Sequence, residues 1–587
     1  QNEATLLVRM GDGTVRFAGP EHVVFNGTAR DDRVWSSEGD DTIRGNNGDD
    51  WINGGDGNDN HVGGLGDDIL LDPNGDDTLK GGDGNDTLSS GQGFGGDLNQ
   101  GGRGSDFIVG GNDFTETLAG PGNDFVFAGD DSDEVLGDDG DDWIDGGGGA
   151  NAVMGDNGAP FNDDPNTPGN DVIDGDGMDQ DMHAEGGDDI MLLGAGVQRS
   201  EGMAGFDWSI HKLDPLPANS DMNLVEPAVP ALPVANRDRF RQIEGLSGWF
   251  RDDVLRGNDA DAVVLAPADA LTPAGVARIA GLQDVLGGAT AFNAGNIILG
   301  GAGSDLLEGR GGDDILDGDR WLDAQVSVRD RLDPTIELRR VDSLSAIRAD
   351  VIAGTINPGQ LRIVRQIRTQ APGADIDTAV FSDVRANYLL VTNADGSRTV
   401  AQIAARAGRP TVDGVDTLRN IERLQFADVT IDLATGAAVG PAVTLSAASA
   451  TFADRAVGTV SAFQAVTLTN TGTAPLNITG LALAGANPGD FNRGGTCSTS
   501  TPIAAGASCT IEVNFAPTAT GPRSASVDIT SNAAGSPHSI ALSGTGVAAA
   551  APAASLGPTS ATFADQTVGI ASATQTVTLT NTGTAPL

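Results

Sequence analysis

The feature that most constrains this chain is a nine-residue period. Aligned on glycine, it reads Gly45-NNGDDWI-Asn53, Gly54-GDGNDNH-Val62, Gly63-GLGDDIL-Leu71, Asp72-PNGDDTL-Lys80 and Gly81-GDGNDTL-Ser89. A slip around Phe94–Gln100 interrupts the phase. The period then resumes at Gly101-GRGSDFI-Val109 and runs through Ala119-GPGNDFV-Phe127, Ala128-GDDSDEV-Leu136 and Gly137-DDGDDWI-Asp145. Ala184-EGGDDIM-Leu192 and Gly202-MAGFDWS-Ile210 close the run, and a second patch holds Gly300-GAGSDLL-Glu308 and Gly309-RGGDDIL-Asp317. So short a unit buries nothing alone. It must stack on its neighbours as a solenoid.

The spacing carries chemistry. The first six residues make a tight turn, where glycine permits positive φ and close backbone approach. The sixth is Asp, and its carboxylate and the turn's carbonyls face inward. Stacked turns then offer oxygen ligands from two neighbours, as a hard six- to eight-coordinate cation such as calcium requires. The candidate metal ligands are Asp41, Asp50, Asp59, Asp68, Asp77, Asp86, Asp106, Asp124, Asp133, Asp142, Asp171, Asp189, Asp207, Asp305 and Asp314. Soft ligands are missing, so zinc and copper are not expected. The last three residues form a short strand with one inward apolar side chain. Ile43, Ile52, Leu70, Leu79, Leu88, Ile108, Val126, Val135 and Ile144 hold that place. One apolar residue per repeat gives a thin core, so bound metal must supply much of the stability. His61 stands at an apolar position and His183 just after a further Asp; both read as spacers rather than ligands. Trp51 and Trp143 read as packing residues.

The repeat Gly-Gly-x-Gly-x-Asp-x-(apolar)-x resembles that of RTX, or haemolysin-type calcium-binding, proteins, over about a third of the chain. The resemblance implies a parallel β-roll, several bound Ca2+ ions and export by type I secretion machinery. Composition agrees. There are 83 acidic against 34 basic residues, a formal charge of −49, which disfavours nucleic acid and anionic membrane as partners. No run reaches the length of a membrane helix. The chain opens and stops mid-sequence, as expected of a fragment of a longer secreted protein.

Proline-bearing stretches at Gly155–Pro168 and His211–Pro233 read as an insertion and an exposed loop. Leu271–Leu286 reads as one helix, with Pro273 at its start and Gly287-Gly288 at its end. The segments GDNGAPFNDDPNTPGNDVIDGDG, RFRQIEGLSGW and GNIILGGAGSDLLEGRGGDDILDGDRWL resemble bacterial proteins in which an animal-type haem peroxidase domain precedes RTX repeats. That resemblance spans roughly Phe17 to Asp432. It implies haem only in a presumed upstream domain, because no peroxidase catalytic motif lies in this chain. Trp321–Leu433 reads as ordinary α/β sequence, with helical periodicity at Ser343–Ile352 and strands at Ala379–Phe381, Tyr388–Thr392 and Thr399–Ile403. DGVDTLRNIERLQFADVTIDL resembles a segment that follows RTX rolls. The local arginines (Arg329, Arg331, Arg339, Arg340, Arg362, Arg365, Arg368) are expected to pair with the acidic roll or be solvated.

From Ala442, alternating strands separated by turns suggest an immunoglobulin-like sandwich. SATFADRAVGTVSAFQAVTLTNTGTAPL recurs in altered form at Ser560–Leu587. The unit resembles the choice-of-anchor D, or ASH-like, family. Cys497 and Cys509, the two cysteines, are expected to form a disulfide in an exported protein.

The expected fold is mainly β: a calcium-stabilised parallel β-roll solenoid, an α/β middle segment, then an immunoglobulin-like sandwich. The expected divisions are a connector at 1–30, the roll at 31–210, a loop-rich interruption with a short helix at 211–295, and a second repeat patch at 296–320. An α/β segment at 321–440, a sandwich at 441–546, a linker at 547–556 and a truncated second sandwich at 557–587 follow. The chain shows no catalytic residues and no H-E-x-x-H, G-x-S-x-G or P-loop. The leading expectation is a non-catalytic calcium-binding region of a secreted, extracellular or cell-surface bacterial protein, attached to an upstream haem peroxidase. One rival is a spacer or display region of an adhesin or matrix protein, with cell-surface or matrix contact. Another is an enzyme, with Trp321–Leu433 the place for its site.

Overall fold

The structure is a computed structural model. It describes residues 8–9, 14–91, 93–156, 169–176, 180–225, 238–259, 267–371, 375–404 and 413–587. Most of the proline-bearing insertion and the end of the proline-rich loop lie outside them. The chain is mainly β, and it divides into two compact units, Gln1–Phe426 and Ala427–Leu587.

In the first unit, successive nonapeptides alternate between two parallel sheets, so one coil takes two repeats. Ile52 pairs with Leu70 on one sheet and Ile43 with His61 on the other, each eighteen residues on. The slip at Phe94–Gln100 adds two residues to one coil, so that Leu88 pairs with Ile108 and Leu79 with Asn99. The turn absorbs the extra length without a break in either ladder. The residue at the centre of each strand points between the sheets, and in most coils it is apolar. Ile43, Ile52, Leu70, Leu79, Leu88, Ile108, Val126, Val135 and Ile144 are all fully buried.

The roll does not stop at Ile210. The first sheet passes from Ser209 to Leu246, then to Ile298, Leu316 and Leu418. The second ends with Arg239–Arg241, and a third parallel sheet follows through Ser220, Leu255, Leu307, Ala379 and Leu424. The regions expected as an interruption, a second patch and an α/β segment therefore supply coils to one solenoid. Long insertions leave between coils and return in register, which hides the period from the sequence.

The core is also thicker than one residue per repeat. The outer face of the first sheet carries Phe107, Val109, Phe125, Trp143, Val172, Ile190, Leu192, Trp208 and Ile210. These are buried in one cluster with Leu271, Val276, Ile279, Leu282, Val285, Leu322, Val326, Val328, Ile347, Val351 and Leu361. The cover consists of short helices and a three-stranded antiparallel sheet formed by Arg320–Arg329, Glu337–Val341 and Leu361–Thr369. The single helix expected over Leu271–Leu286 is two, Pro273–Arg278 and Leu282–Val285, because Gly281 takes φ +86° between them. Thr272 caps the first by accepting a hydrogen bond from Gly275 N at 3.2 Å. Of the arginines, buried Arg365 donates to the Asn170 carbonyl and lies 3.9 Å from Asp141, and Arg331 lies 3.9 Å from Asp67. Arg329 and Arg340 instead pair with Glu337, Arg339 with Asp350 and Arg368 with Asp323.

In the second unit, Val443–Leu445, Gln464–Asn470, Ser508–Phe515 and Phe491–Gly495 form one antiparallel sheet. Ile478–Ala484, Gly521–Ser531 and His538–Val547 form another, to which Ser449–Thr451 adds in parallel. Alternate residues of both, including Val466, Leu468, Ile511, Val513, Phe515, Val527, Ile529 and Ile540, make one buried core. Cys497 and Cys509 are disulfide-bonded at its edge, with Cα atoms 5.0 Å apart. No helix among the described residues is long and apolar enough to cross a membrane.

Candidate metal centre

The sixth-position aspartates stack in files along the edges of the roll. Each accepts at Oδ1 from a backbone N–H one coil earlier, in most cases that of the preceding aspartate. The first file links Asp50 to Asp68 (2.7 Å), Asp68 to Asp86 (2.8 Å), Asp86 to Asp106 (2.7 Å), Asp106 to Asp124 (2.7 Å) and Asp124 to Asp142 (2.7 Å). It continues to Asp171, Asp189 and Asp207. The second links Asp41 to Asp59 (2.7 Å) and Asp59 to Asp77 (2.9 Å), and Thr115 N donates to Asp133. Asp305 accepts from Asp253 N and Asp314 from Asn296 N, both at 2.7 Å. The ladder bond is not confined to Asp, since Glu244 Oε2 accepts from Asp207 N at 3.1 Å and Glu422 Oε2 from Asp377 N at 2.9 Å.

The second oxygen is the informative one. All fifteen aspartates expected as ligands are buried, and in every one Oδ2 lacks a hydrogen-bond partner among the described residues. Buried polar atoms are ordinarily satisfied, so a repeated orphan oxygen marks a place for something else. The glycines shape that place. A Cβ on the first-position residue Gly45, Gly63, Gly81 or Gly101 would run into the Oδ2 of Asp50, Asp68, Asp86 or Asp106. A Cβ on fourth-position Gly84, Gly104, Gly122 or Gly140 would run into the carbonyl oxygen of the glycine one coil back. Carboxylate and carbonyl oxygens thus stack at coil spacing.

Electrostatics point the same way. Burial raises these carboxyls far above the ordinary 3.8, opposed by the N–H donor and, along much of the file, reinforced by carboxylates in adjacent coils. Asp50 and Asp59 rise to about 6, Asp77 and Asp133 to about 7, and Asp68, Asp86, Asp106 and Asp305 to about 8. Asp41 is raised, and Asp124, Asp142, Asp171, Asp189, Asp207 and Asp314 are raised well above the ordinary value. Such a column ionises cheaply only when a cation neutralises it. The donor set is all oxygen, which fits a hard divalent ion such as calcium.

The files also hold residues that the period alone does not reveal. Asp97, Asp253, Asp377 and Asp416 accept from the N–H of Asp77, Ala218, Asp305 and Asp314. Asp97 is displaced by the two-residue slip, and the others rejoin the roll after long insertions. A legible signal was Asp two residues before a buried apolar residue, as in Asp253/Leu255, Asp377/Ala379 and Asp416/Leu418. Past Asp133 the second file turns neutral. Asp133 N donates to Asn151 Oδ1, and Asn151 N donates to Gln180 Oε1, so the charged column is longer on one edge than on the other.

The aromatic and histidine positions resolve individually. Trp143 is fully buried in the outer core, and Trp51 stacks on Trp35 with centroids 6.5 Å apart. His183 lies 3.2 Å from Asp181 and 3.4 Å from Glu201. His61 lies inside the roll, between Ile43 and Leu79.

The family model of the RTX calcium-binding nonapeptide repeat, in four copies, matches residues 26–60, 62–96, 118–153 and 290–320. No curated protein matches the chain. Among solved structures, the ASH/PapD-like domain of human CEP192 is 18% identical, with 18% of this chain covering 86% of that one at a TM-score of 0.14. A Porphyromonas gingivalis protein of unknown function is 13% identical over 39% of this chain and 91% of its own, at 0.16. The secreted serine protease VesC of Vibrio cholerae is 14% identical over 27% and 36%, also at 0.16. At such TM-scores these likenesses carry no argument. The chain carries RTX calcium-binding repeats, and they lie in the stacked coils whose aspartates keep an orphan oxygen.

Proposed function

We propose that this chain is a non-catalytic calcium-binding region of a secreted bacterial protein, which folds when it meets calcium outside the cell. The observation that carries the reading is the orphan Oδ2 on every one of the expected ligands, Asp41 to Asp314, most of them in turns with a glycine that has no room for a Cβ. These aspartates, with the stacked glycine carbonyls, would hold the ions. Calcium supplies the positive charge that lets the carboxylates stay ionised while buried. At the sub-micromolar calcium of a cytosol the column repels itself, the roll stays unfolded, and the chain is fit to pass type I secretion machinery. At millimolar calcium outside, each bound ion adds folding free energy by linkage.

An upstream haem peroxidase is the parent that the sequence resemblance suggests. Haem then belongs to that domain, and the sandwiches, read as choice-of-anchor D units, serve display at the surface. The 587-residue chain should neither shift a Soret band on mixing with haem nor turn over peroxide above free haem. The decisive experiment on the calcium reading is circular dichroism in chelator and in millimolar calcium. A large gain of β signal with calcium, weak with magnesium, is expected. An unchanged spectrum for residues 31–426 would sink the reading.

A further inference from the structure

Near the start of the roll, two departures from the repeat's pattern meet. At the inward apolar position, between Ile43 and Leu79, the chain has His61. At the first position of a repeat, where Gly45, Gly54, Gly63 and Gly81 stand in the neighbours, it has Asp72. The two lie eleven residues apart in sequence, but His61 Nε2 is 3.7 Å from Asp72 Oδ2. Asp59 completes the group, with one ligand atom from each residue within 4.8 Å of the others. His61 is 0%, Asp72 1% and Asp59 2% exposed. Gly54 leaves the space between them: a Cβ there would run into Asp72 Oδ2, Asp59 Oδ2 and His61 Cε1.

Neither ring nitrogen of His61 has a hydrogen-bond partner among the described residues, and no N–H or hydroxyl donor reaches Asp59 Oδ2 or either oxygen of Asp72; Asp72 instead lies within hydrogen-bonding reach of the carboxyls of Asp59 and Asp77. A histidine–carboxylate pair does not explain this, because 3.7 Å is too long for a hydrogen bond and the other orphan atoms remain.

We propose that Asp59, His61 and Asp72 form a buried structural site for one first-row divalent transition-metal ion, with zinc the expected occupant, distinct from the oxygen-only stack. Two carboxylates balance the charge of such an ion. An imidazole suits zinc, cobalt or nickel, whereas calcium takes oxygen donors. The site is closed to solvent, so the ion enters as the coils assemble and pins adjacent coils together. The site is independent of the calcium reading, except that Asp59 contributes to both.

The test loads the 587-residue chain with cobalt(II) or zinc during folding in millimolar calcium, followed by desalting and metal analysis. One equivalent should stay bound, and cobalt should show paramagnetically shifted imidazole resonances. His61→Leu and Asp72→Gly return the sequence to the repeat's own pattern, so both should fold with an unchanged β signal and each should lose that equivalent. A wild-type chain that retains no cobalt or zinc overturns the proposal. So does an equivalent retained by both variants, or cobalt bound without imidazole resonances, a readout that needs neither variant to fold. A chain that folds without calcium but still holds one cobalt would fail the calcium reading and leave this one standing.

Discussion

Gly63 and Asp68 share one small volume: the place where Gly63 would carry a Cβ is filled by the Asp68 Oδ2. Gly63 does not have a positive φ. In this coil the first glycine is therefore required for room rather than for backbone freedom, whereas the coils with Ala119, Ala128 and Ala184 at that position accommodate a Cβ. Gly63→Ala should displace the carboxylate, weaken calcium binding in that coil, and cost about 1–3 kcal/mol as overpacking does. Gly96 lies in the same roll, with its nearest contact a distant carbonyl at 3.9 Å, so Gly96→Ala should be near neutral. Calcium titration and thermal melts of the two variants check this, and equal effects would refute the assignment.

The two oxygens of each aspartate can be separated by one substitution. Asp68 Oδ1 accepts from Asp50 N at 2.7 Å, whereas Oδ2 is unpaired. Asp68→Asn keeps the acceptor and removes the charge. We expect weaker, less cooperative calcium binding, together with a metal-free roll that is more structured than the wild type. Asp50→Ala and Asp59→Ala remove both functions, and should lose structure locally because solenoid stability is roughly nearest-neighbour. Calorimetry showing unchanged stoichiometry and affinity in all three would count against the ligand set.

Acid should partly replace calcium. Against an ordinary 3.8, Asp50 is raised to about 6, Asp77 to about 7, and Asp68 and Asp86 to about 8 in the metal-free fold. A folded-state value raised above the unfolded one means that the folded form binds more protons. Its stability is then fully present below about pH 4 and is lost as pH rises through roughly 6 to 8. Calcium-depleted chain should gain β signal when taken from pH 8 to pH 5, a value still above its isoelectric point of about 4.1. Calcium affinity should fall over the same range, because protons compete for the same oxygens. A β signal that is flat or falls on acidification would contradict this.

The parts of the fold legible in the sequence were those with a local cause. Asp six places into a turn, an apolar residue two places later and a glycine at each close approach recur every nine residues, so the roll and its fifteen aspartates could be read off directly. Asp253, Asp377 and Asp416 escaped because their coils close across 35 to 102 residues, as the ladder bonds show, and no local pattern records that return. The helix over Leu271–Leu286 was located, but its break at Gly281 reflects packing over the sheet and not periodicity. The outer core was missed because Phe107, Trp143 and Trp208 sit at repeat positions that vary from copy to copy. His61 read as a spacer because its partners, Asp59 and Asp72, belong to a neighbourhood that only the stacking creates.

The disulfide should act on the sandwich alone. Cys497 and Cys509 are both 8% exposed and belong to the sandwich core, and the bridge closes a loop with a separation of 12 residues. Loops of this size stabilise by about 2–3 kcal/mol through the unfolded state. Intact mass under non-reducing conditions should show the two-hydrogen deficit. Reduction should lower the melting temperature of residues 441–546 and leave the calcium transition of the roll in place. A mass without the deficit would rule the bridge out.

The outer core predicts that metal is not the sole source of the roll's stability. Leu282 is fully buried in one cluster with Trp143, Trp208, Val326 and Leu361, and it comes from an insertion between coils rather than from a repeat. If the insertion only decorated the solenoid, its truncation would not matter once calcium is saturating. If it covers an apolar face that the repeats themselves expose, losing three side-chain carbons leaves a cavity against that face. Leu282→Ala should then cost about 2–5 kcal/mol and lower the melting temperature of the calcium-loaded chain, with calcium stoichiometry unchanged. The loss should be local to the coils around Phe107–Ile210, because stability in a solenoid spreads weakly along its axis. Hydrogen exchange resolved by peptide would show faster exchange in those coils and unchanged exchange before Asn60. A variant that melts and exchanges like the wild type would return the roll to a structure held by its metal ions and its thin interior row alone.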